Sequence, residues 1–273
     1  MLRAVSVWVL VLVVASAACS GRAATRPASS DAVADAVVEN ATITDAAPPT
    51  DVNIFADASP DAQDASPAAA ATIEDWPIAW SDERDQAMVA YRRIHNDPAA
   101  RDTVIAPRMI VLHYTAGGSA KGTKAYFDRP KLEASRAKLR EGGDVNVSAH
   151  FLVDRDGTIF RLMPETRMAR HAIGVNHVAI GVENVGDEDK YPLTDAQVEA
   201  NAALVRDLVS RHSIELLVGH HEVRALEGTD WFVERDPTYR NKKPDPGPRF
   251  MTAVRAKITD LGLKGPGDVM PAP

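Results

Sequence analysis

Two short, mostly apolar runs of the chain each lead to a histidine. Met109–Leu112 runs directly into His113, and Glu215–Val218 leads through Gly219 to His220. Apolar runs of this length that are bounded by turn residues are typical of strands buried on both faces of a sheet. Side chains at the ends of such strands face the loops in which sites are usually built. The pattern therefore predicts two buried strands that each end near an imidazole.

Three further runs predict a hairpin and one more strand. Val147–Val153 has the composition of a strand, and the Asp-Gly pair that ends Asp154–Gly157 is a hairpin signal, with Thr158–Leu162 as the returning strand. His177–Val185 is also expected to be a strand, and Glu183 lies near its end. A carboxylate at the end of an otherwise apolar strand is unusual and marks Glu183 for attention.

Helices are predicted from apolar spacing and capping residues. Ser81 is a suitable N-cap for a first helix that ends before Asn96. A polar, exposed helix is expected over Lys131–Arg140. Two more helices are expected after a capping box at Thr194–Gln197 and from Pro248. The apolar face of the first helix consists of Met88, Tyr91 and Ile94. The faces of the two later helices consist of Val198, Ala202, Val205 and Val209, and of Phe250, Val254, Ile258 and Leu261. Strands that alternate with helices around one hairpin indicate the α/β class, with a mixed central β-sheet flanked by helices.

Residues 1–18 have the features of an export signal. Arg3 supplies a positive charge, and Val5–Val14 is an apolar stretch too short to cross a bilayer comfortably. Small residues then precede Cys19, the one cysteine of the sequence. This arrangement resembles a bacterial lipobox, so we expect lipidation of Cys19 and an outer-membrane lipoprotein that faces the periplasm. Ordinary signal-peptidase cleavage just before Cys19 would instead give a soluble periplasmic protein.

We expect residues 19–73 to form a disordered tether that joins the anchor to a folded domain. A single domain is expected over 74–264, followed by a flexible tail over 265–273. The tether is rich in Ala, Asp, Pro, Thr and Ser, and such a composition buries too little apolar surface to offset the entropy of ordering. Eight acidic residues and two arginines between positions 20 and 73 account for −6 of the net charge of −7. The remainder is nearly neutral, which argues against a nucleic-acid partner.

His113, His220 and Asp245 are candidate metal ligands. Asp245 lies in a proline-rich loop immediately before the last predicted helix. Two imidazoles and a carboxylate, with a fourth position free, form the ligand set of a hydrolytic Zn²⁺ site. Each residue also has a structural explanation, since buried histidines are commonly hydrogen-bonded and an aspartate can cap a helix. The neighbouring His221 leaves open which of the two adjacent histidines is functional.

Glu183 is a candidate general base. Strand alternation places it on the same face as Ala179 and Gly181, whose small side chains leave room for a ligand or a water. Burial there would raise the pKa of the carboxyl group, which suits a base that operates near neutral pH. The alternative is a solvated glutamate at the end of a strand.

Six short motifs together resemble those of the zinc-dependent N-acetylmuramoyl-L-alanine amidases. These are the type-2 amidases, which are related to phage T7 lysozyme and to the peptidoglycan recognition proteins. The resemblance extends over about 108–263 and includes a lysine two residues before the aspartate. The motifs occur in the family order, as Leu112-His113-Tyr114-Thr115, Ser148-Ala149-His150-Phe151, Arg155-Asp156-Gly157, Ala179-Ile180-Gly181-Val182-Glu183, Gly219-His220 and Lys243-Pro244-Asp245-Pro246-Gly247-Pro248.

The resemblance implies a role for each matched residue. His113, His220 and Asp245 would ligate Zn²⁺. Glu183 would activate the water that attacks the lactyl carbonyl of N-acetylmuramic acid, and Lys243 would stabilise the oxyanion that forms. The implied substrate is peptidoglycan or a muropeptide, cleaved between N-acetylmuramic acid and L-alanine, by an enzyme that we expect to be a monomer.

Three further residues, two of them within these motifs, are expected to contact substrate or to support the site. These are Tyr114, His150 and His171. The phage lysozyme has a catalytic tyrosine directly before the histidine of the Ser-x-His motif, and Ala149 stands there in this chain. This departure leaves Glu183 as the expected base.

Two alternatives stay open at this stage. The segment between His221 and Lys243 is longer than in compact members of the family. Its aromatic residues Trp231, Phe232 and Tyr239 could form a lid or a glycan-stacking wall, or could pack the segment down. The competing function is a non-catalytic peptidoglycan-binding module. The presence of all three expected ligands together with Glu183 and Lys243 favours the enzyme.

Overall fold

The computed structural model describes residues 71–270. The predicted export signal, Cys19 and almost all of the predicted tether lie outside these residues. The described part continues beyond 264 into a 3-10 helix at Pro266–Asp268. No helix among residues 71–270 has the length and apolar character needed to span a bilayer.

A six-stranded mixed sheet forms the centre of the fold, with the strand order β1-β4-β3-β5-β2-β6. Strands β3, β5, β2 and β6 are parallel to one another, β4 is antiparallel to β3, and β1 is parallel to β4. This architecture confirms the predicted mixed α/β fold. The strands are β1 (Ile73–Asp75), β2 (Met109–Tyr114), β3 (Phe151–Val153), β4 (Ile159–Arg161), β5 (Ala179–Asn184) and β6 (Leu216–Gly219).

Five α-helices surround the sheet, and two of them cover one of its faces. They are α1 (Asp82–His95), α2 (Ala120–Phe127), α3 (Ala137–Glu141), α4 (Asp195–Arg211) and α5 (Pro248–Lys257). Ser81 caps α1 by accepting a hydrogen bond from the Arg84 amide, and Thr194 with Gln197 forms the predicted capping box of α4. The apolar faces of α4 and α5 pack on the sheet in one large core.

Alternation along the central strands decides which face holds the polar residues. Ile110 and Leu112 of β2 pack into the core under α4 and α5, whereas Met109 and Val111 belong to the core on the opposite face. Because successive side chains point to opposite faces, His113 follows Met109 and Val111 onto the face away from α4 and α5.

The structure corrects the bounds of two predicted elements. The helix expected over Lys131–Arg140 is only the short α3, because Lys131 pairs with Val145 and the Leu132 amide donates to the carbonyl of Asp144. The strand expected over Val147–Val153 is β3 alone, because the Ser148 amide bonds to the carbonyl of Arg170 instead of to a strand.

Strand β1 and helix α2 were not predicted. The residues of β1 are Ile73, Glu74 and Asp75, and two of these are exposed acids at the edge of the sheet. Helix α2 begins after the N-cap Ser119 and buries only Ala120 and Phe127. Neither segment has an apolar pattern long enough to indicate its structure.

Candidate metal centre

Three separate segments of the chain bring His113, His220 and Asp245 to one point. His113 lies near the end of β2, His220 begins the 3-10 helix that follows β6, and Asp245 precedes α5. Strands β2 and β6 are parallel neighbours, so their carboxyl ends meet at one edge of the sheet. All three residues are buried, with exposures of 1%, 8% and 6%.

The donor atoms of these residues face one another at close range. The Nδ1 atoms of His113 and His220 are 2.9 Å apart, and they lie 3.2 and 3.1 Å from Oδ2 of Asp245. A tetrahedral zinc ion with bonds of about 2.0–2.1 Å separates its ligand atoms by roughly 3.3 Å. Two imidazole nitrogens and one carboxylate oxygen at this spacing fit a zinc site that keeps a fourth position for water or substrate.

The electrostatics of the trio favour a cation. Burial, together with the neighbouring His220, lowers the pKa of His113 to about 4, so its ring is neutral at pH 7. Burial alone would raise the pKa of Asp245, but the two adjacent imidazoles hold it well below its usual range. A neutral imidazole and an ionised carboxylate are the protonation states that metal ligands require.

Asparagines on β5 and α4 fix the backbone of His113. The Nδ2 group of Asn184 donates to the His113 carbonyl at 3.0 Å. The Oδ1 atom of Asn184 in turn accepts a 2.6 Å hydrogen bond from Nδ2 of Asn201. Asn184 and Asn201 are both fully buried. This chain of amides ties the end of β2 to α4 through β5.

Glu222 and His221 hold the other two ligands. The Oε2 atom of Glu222 accepts from the amide of Gly219, the residue before His220, and the carboxylate is paired with Arg255 of α5. The amide of His221 donates to the Asp245 carbonyl at 2.8 Å, and its Nδ1 lies 3.2 Å from the same oxygen. His220 therefore belongs to the donor set, whereas His221 supports the loop that carries Asp245.

Glu183 lies directly beside the trio. In the register of the parallel pair β2–β5, Glu183 is the partner of His113. Its Oε2 atom is buried and has no hydrogen-bond partner among the described residues. Burial, reinforced by the negative charge of Asp245, raises the pKa of Glu183 well above its usual value, while Lys243 opposes the shift. The direction of this pKa shift agrees with the small residues that flank Glu183 on its strand, and its role as a base stays a prediction.

A comparison with known protein families shows which family contains this chain. The family described as N-acetylmuramoyl-L-alanine amidase matches residues 103–248, more than half of the chain. The chain belongs to this amidase family. The matched region includes both histidines, Glu183, Lys243 and Asp245, so the resemblance inferred from the sequence motifs is confirmed.

Individual relatives include a phage endolysin and a bacterial amidase. The endolysin of Escherichia phage T7 is 36% identical over 89 residues, which are 31% of this chain and 59% of that protein. The 1,6-anhydro-N-acetylmuramyl-L-alanine amidase AmpD of Citrobacter freundii is 32% identical over 132 residues, 44% of this chain and 62% of that protein. The chain thus spans about three fifths of the length of these curated relatives. Among solved structures, the amidase LysC of Clostridium intestinale aligns with 71% of this chain and 99% of its own at 23% identity, with a TM-score of 0.44.

Lys243 and Tyr114 lie at the rim of the candidate metal site. Lys243 is exposed, yet its charge acts on the pKa values of both His113 and Glu183. Tyr114 is partly exposed, and burial together with nearby Asp245 raises its pKa to about 12, so its phenol stays protonated. Both positions are compatible with contact to a substrate, which stays a prediction.

The structure places His150 in the interior. This residue is fully buried. Its Nδ1 accepts a hydrogen bond from the Gly181 amide at 2.9 Å, and its Nε2 lies 2.8 Å from the Arg167 carbonyl. Because both ring nitrogens are bonded to backbone groups, the geometry gives His150 a supporting role and leaves no nitrogen free for a substrate.

His171 lies against His113, one of the candidate metal ligands. Its Nδ1 is 3.0 Å from Nε2 of His113, and the two rings are almost perpendicular, at 89°. Burial and the adjacent His113 lower the pKa of His171 well below the ordinary value, so its ring is neutral. The sequence indicated His171 as a supporting or substrate-facing residue without showing what it contacts.

The long segment between His221 and Lys243 is packed against the domain. Tyr239 is 4% exposed in the core beside α1, and Trp231 and Phe232 pack against a second core. The Val233 amide donates to the Gly174 carbonyl, and the Arg235 amide donates to the carbonyl of His95 on α1. Of the two alternatives drawn from the sequence, the structure favours packing over a lid.

Asn184, Asn201 and Glu222 are supporting residues that the sequence analysis did not select. Asn184 carried a usable signal, since it is a polar residue at the end of an apolar strand that alternation turns toward the core. Glu222 lies two residues after His220, but acidic residues are common on surfaces. Its pairing with Arg255, 33 positions later, depends on the fold.

Proposed function

We propose that this protein is a zinc amidase that hydrolyses the amide bond between N-acetylmuramic acid and L-alanine in peptidoglycan or muropeptides. The observation that carries the proposal is the buried trio of His113, His220 and Asp245 with the unpartnered carboxylate of Glu183 beside it. Membership of the amidase family supports the same reaction class.

Each side chain has a distinct task in this reaction. A bound zinc ion supplies the Lewis acid that polarises the scissile carbonyl and lowers the pKa of a water. Glu183 takes a proton from the water whose oxygen attacks the lactyl carbonyl carbon. As the bond between that carbon and nitrogen breaks, Glu183 returns the proton to the departing amine of L-alanine. The raised pKa of Glu183 suits both transfers, because it brings the acid and the base forms closer in energy near neutral pH.

Lys243 provides positive charge at the rim. Its ammonium group acts on Glu183 and on His113, so it lies in the field of the reacting groups. A fixed positive charge next to the carbonyl oxygen stabilises the negative charge that develops there during attack. We assign this role to Lys243 and none to the adjacent Lys242.

The proposed location is the periplasmic face of the outer membrane, with Cys19 lipidated. The support comes from the export signal over 1–18 and from the small residues that precede Cys19. A substrate in the cell wall requires export. Mass spectrometry of the mature protein tests the anchor. A diacylated or triacylated Cys19 is the expected result, and an unmodified mature N-terminus would establish a soluble periplasmic protein instead.

The function is tested by coupling metal content to product release. We expect about one zinc per chain and release of stem peptides from a purified muropeptide, with both lost in His113→Ala. His177→Ala is the matched control, because His177 is also partly buried but is not part of the trio. Zinc binding without release from either a muropeptide or intact peptidoglycan would contradict the enzyme and favour a binding module. A chain that binds no zinc would exclude the proposed chemistry.

A further inference from the structure

His171 is the residue outside the donor trio that touches a metal-binding ring most directly. It lies in the connection between β4 and β5, and two features fix its position. The amides of His171 and Ala172 both donate to Oδ1 of Asn176, at 3.0 and 2.8 Å. The ring packs against Gly181 so closely that a Cβ at that position would lie 2.7 Å from it. Only a glycine in β5 leaves room for this imidazole.

In the neutral ring of His171, only one assignment of donor and acceptor nitrogens is consistent with its hydrogen-bond partners. Its Nε2 lies 3.3 Å from the carbonyl oxygen of Ala179. A carbonyl oxygen can only accept, so the ring proton of His171 lies on Nε2. In a neutral imidazole the other nitrogen then carries a lone pair, and Nδ1 of His171 is the nitrogen that faces Nε2 of His113 at 3.0 Å. His113 must therefore donate through its Nε2.

This direction decides which nitrogen of His113 is available to a metal. With the proton on Nε2, the lone pair of His113 lies on Nδ1, the atom that faces His220 and Asp245. The opposite tautomer would place a proton between the donor atoms and remove one ligand. Asn184 holds the carbonyl of His113 but does not touch the ring. Among the described residues, His171 is thus the group bonded to the far nitrogen of His113.

The second imidazole of the trio has no equivalent support. Nε2 of His220 is buried, and none of the residues in the described part of the chain bonds to it. The two metal-binding histidines are therefore held differently, one through its ring and the other through the Glu222 contact to the preceding backbone.

We propose that His171 is a positioning residue that sets the tautomer of His113 and thereby the affinity of the metal centre. The hydrogen-bonded series runs from Nε2 of His113 to Nδ1 of His171, and from Nε2 of His171 to the Ala179 carbonyl. The inference rests on the proposed metal site, and it assigns His171 to metal binding rather than to substrate contact.

The experiment compares His171→Ala with His171→Asn in the full-length protein. Loss of an outer hydrogen-bond partner of a metal-binding histidine typically weakens metal binding about 10–100-fold, and we expect this loss in His171→Ala by chelator competition. An asparagine places an amide oxygen near the position of Nδ1, so His171→Asn should recover much of the affinity. His177→Ala should bind zinc like the wild type, because Nδ1 of His177 has no hydrogen-bond partner in the described part of the chain.

A second measurement reads the tautomer directly. Long-range ¹H–¹⁵N spectra of the metal-free wild-type protein should show His113 protonated on Nε2, and this needs no variant. A proton on Nδ1 of His113, or an unchanged zinc affinity in a folded His171→Ala, would overturn the proposal. If the wild type itself binds no zinc, the proposed function fails, while the spectra still decide the state of His113.

Discussion

At the scale of single residues, Glu183 differs from most strand-end glutamates because it is desolvated and next to a carboxylate. One of its oxygens is buried without a partner, and its pKa is raised by burial and by Asp245. A desolvated, unpartnered carboxyl group costs stability, and groups in this state are concentrated at functional sites. The sequence indicated this position from the small residues on the same face of the strand, and the raised pKa of Glu183 agrees with that reasoning.

Replacing Glu183 with glutamine preserves the shape of the side chain but removes its capacity to accept a proton. We expect kcat to fall about 10²–10⁴-fold, the usual contribution of a general base. Zinc content should be unchanged and thermal stability should not fall, because the substitution breaks no hydrogen bond of the buried oxygen and removes a desolvated ionisable group. Steady-state release of stem peptide measures the effect. A variant that keeps more than about a tenth of the wild-type rate would show that another group is the base.

The adjacent lysines Lys242 and Lys243 form a natural matched pair. Both are exposed, but only the charge of Lys243 acts on the groups of the site. Removing one preorganised charge from a developing oxyanion costs roughly 10²-fold in kcat, and we expect this loss in Lys243→Ala. Lys242→Ala should stay within about twofold, as is usual for surface substitutions. Equal effects of the two variants on kcat would contradict the assigned role.

At the scale of secondary-structure elements, the junction of β6, the 3-10 helix and α5 depends on one ion pair. The Glu222 carboxylate joins the Gly219 amide to Arg255, and Arg255 also donates to the Leu217 carbonyl. This network fixes the backbone immediately before His220. Burial acts to raise the pKa of Glu222, but its hydrogen bonds with Arg255 and Gly219 lower it further than burial raises it.

Because the pKa of Glu222 is lower in the folded protein than in the unfolded chain, its ionised form stabilises the fold. This contribution is fully present above the ordinary value of 4.5 and is lost as the pH falls through the lower folded value. We expect Glu222→Gln to reduce the free energy of unfolding by about 1 kcal/mol at pH 7, a figure kept small because the pair is partly exposed. Urea unfolding at pH 7 and in acid should show the difference from wild type shrinking in acid.

Glu199→Gln is the control for this experiment. Glu199 pairs with Lys257 at the surface, where 63% of its side chain is exposed. Such pairs contribute little, so neither pH should show a clear change. A difference between Glu222→Gln and wild type that persists unchanged at low pH would exclude the charge as its cause.

Elements were predictable where apolar pattern and capping agreed, as in α1, α4, α5 and the central strands. The pattern failed in the connection from α2 to β3, where Lys131 and Leu132 pair with backbone groups of Val145 and Asp144 instead of forming a helix. Helical propensity in a polar segment is a weak preference that such long-range hydrogen bonds override.

At the scale of the whole molecule, the metal centre joins β2, β6 and the loop before α5. A metal that binds only the folded protein stabilises it by mass action. At free zinc about 1,000-fold above its dissociation constant, this adds about 4 kcal/mol. For a domain of about 200 residues, such a gain corresponds to roughly 8–16 °C in Tm.

Chelation of zinc should therefore lower the Tm of the wild type by an amount in this range, as measured by calorimetry with and without excess zinc. His113→Ala should melt at nearly the same temperature in both conditions, because it lacks one of the three donors. A wild-type Tm that does not depend on zinc would argue against a metal that bridges these elements.

The sequence by itself determined the class of fold, the strands that end near His113, Glu183 and His220, and the family to which the chain belongs. These features are local, since an apolar run, a cap or a motif consists of residues that are close together in the sequence. The roles of His171, Asn184 and Glu222 were decided only by the tertiary structure. The contacts of His113 with His171 and Asn184 join residues 58 and 71 positions apart and depend on how the sheet is assembled. The contact of Glu222 with Arg255 spans 33 positions and depends on the packing of α5 beside β6. A hydrophobic pattern specifies that a residue is buried, but only the packed sheet determines which polar group lies next to it.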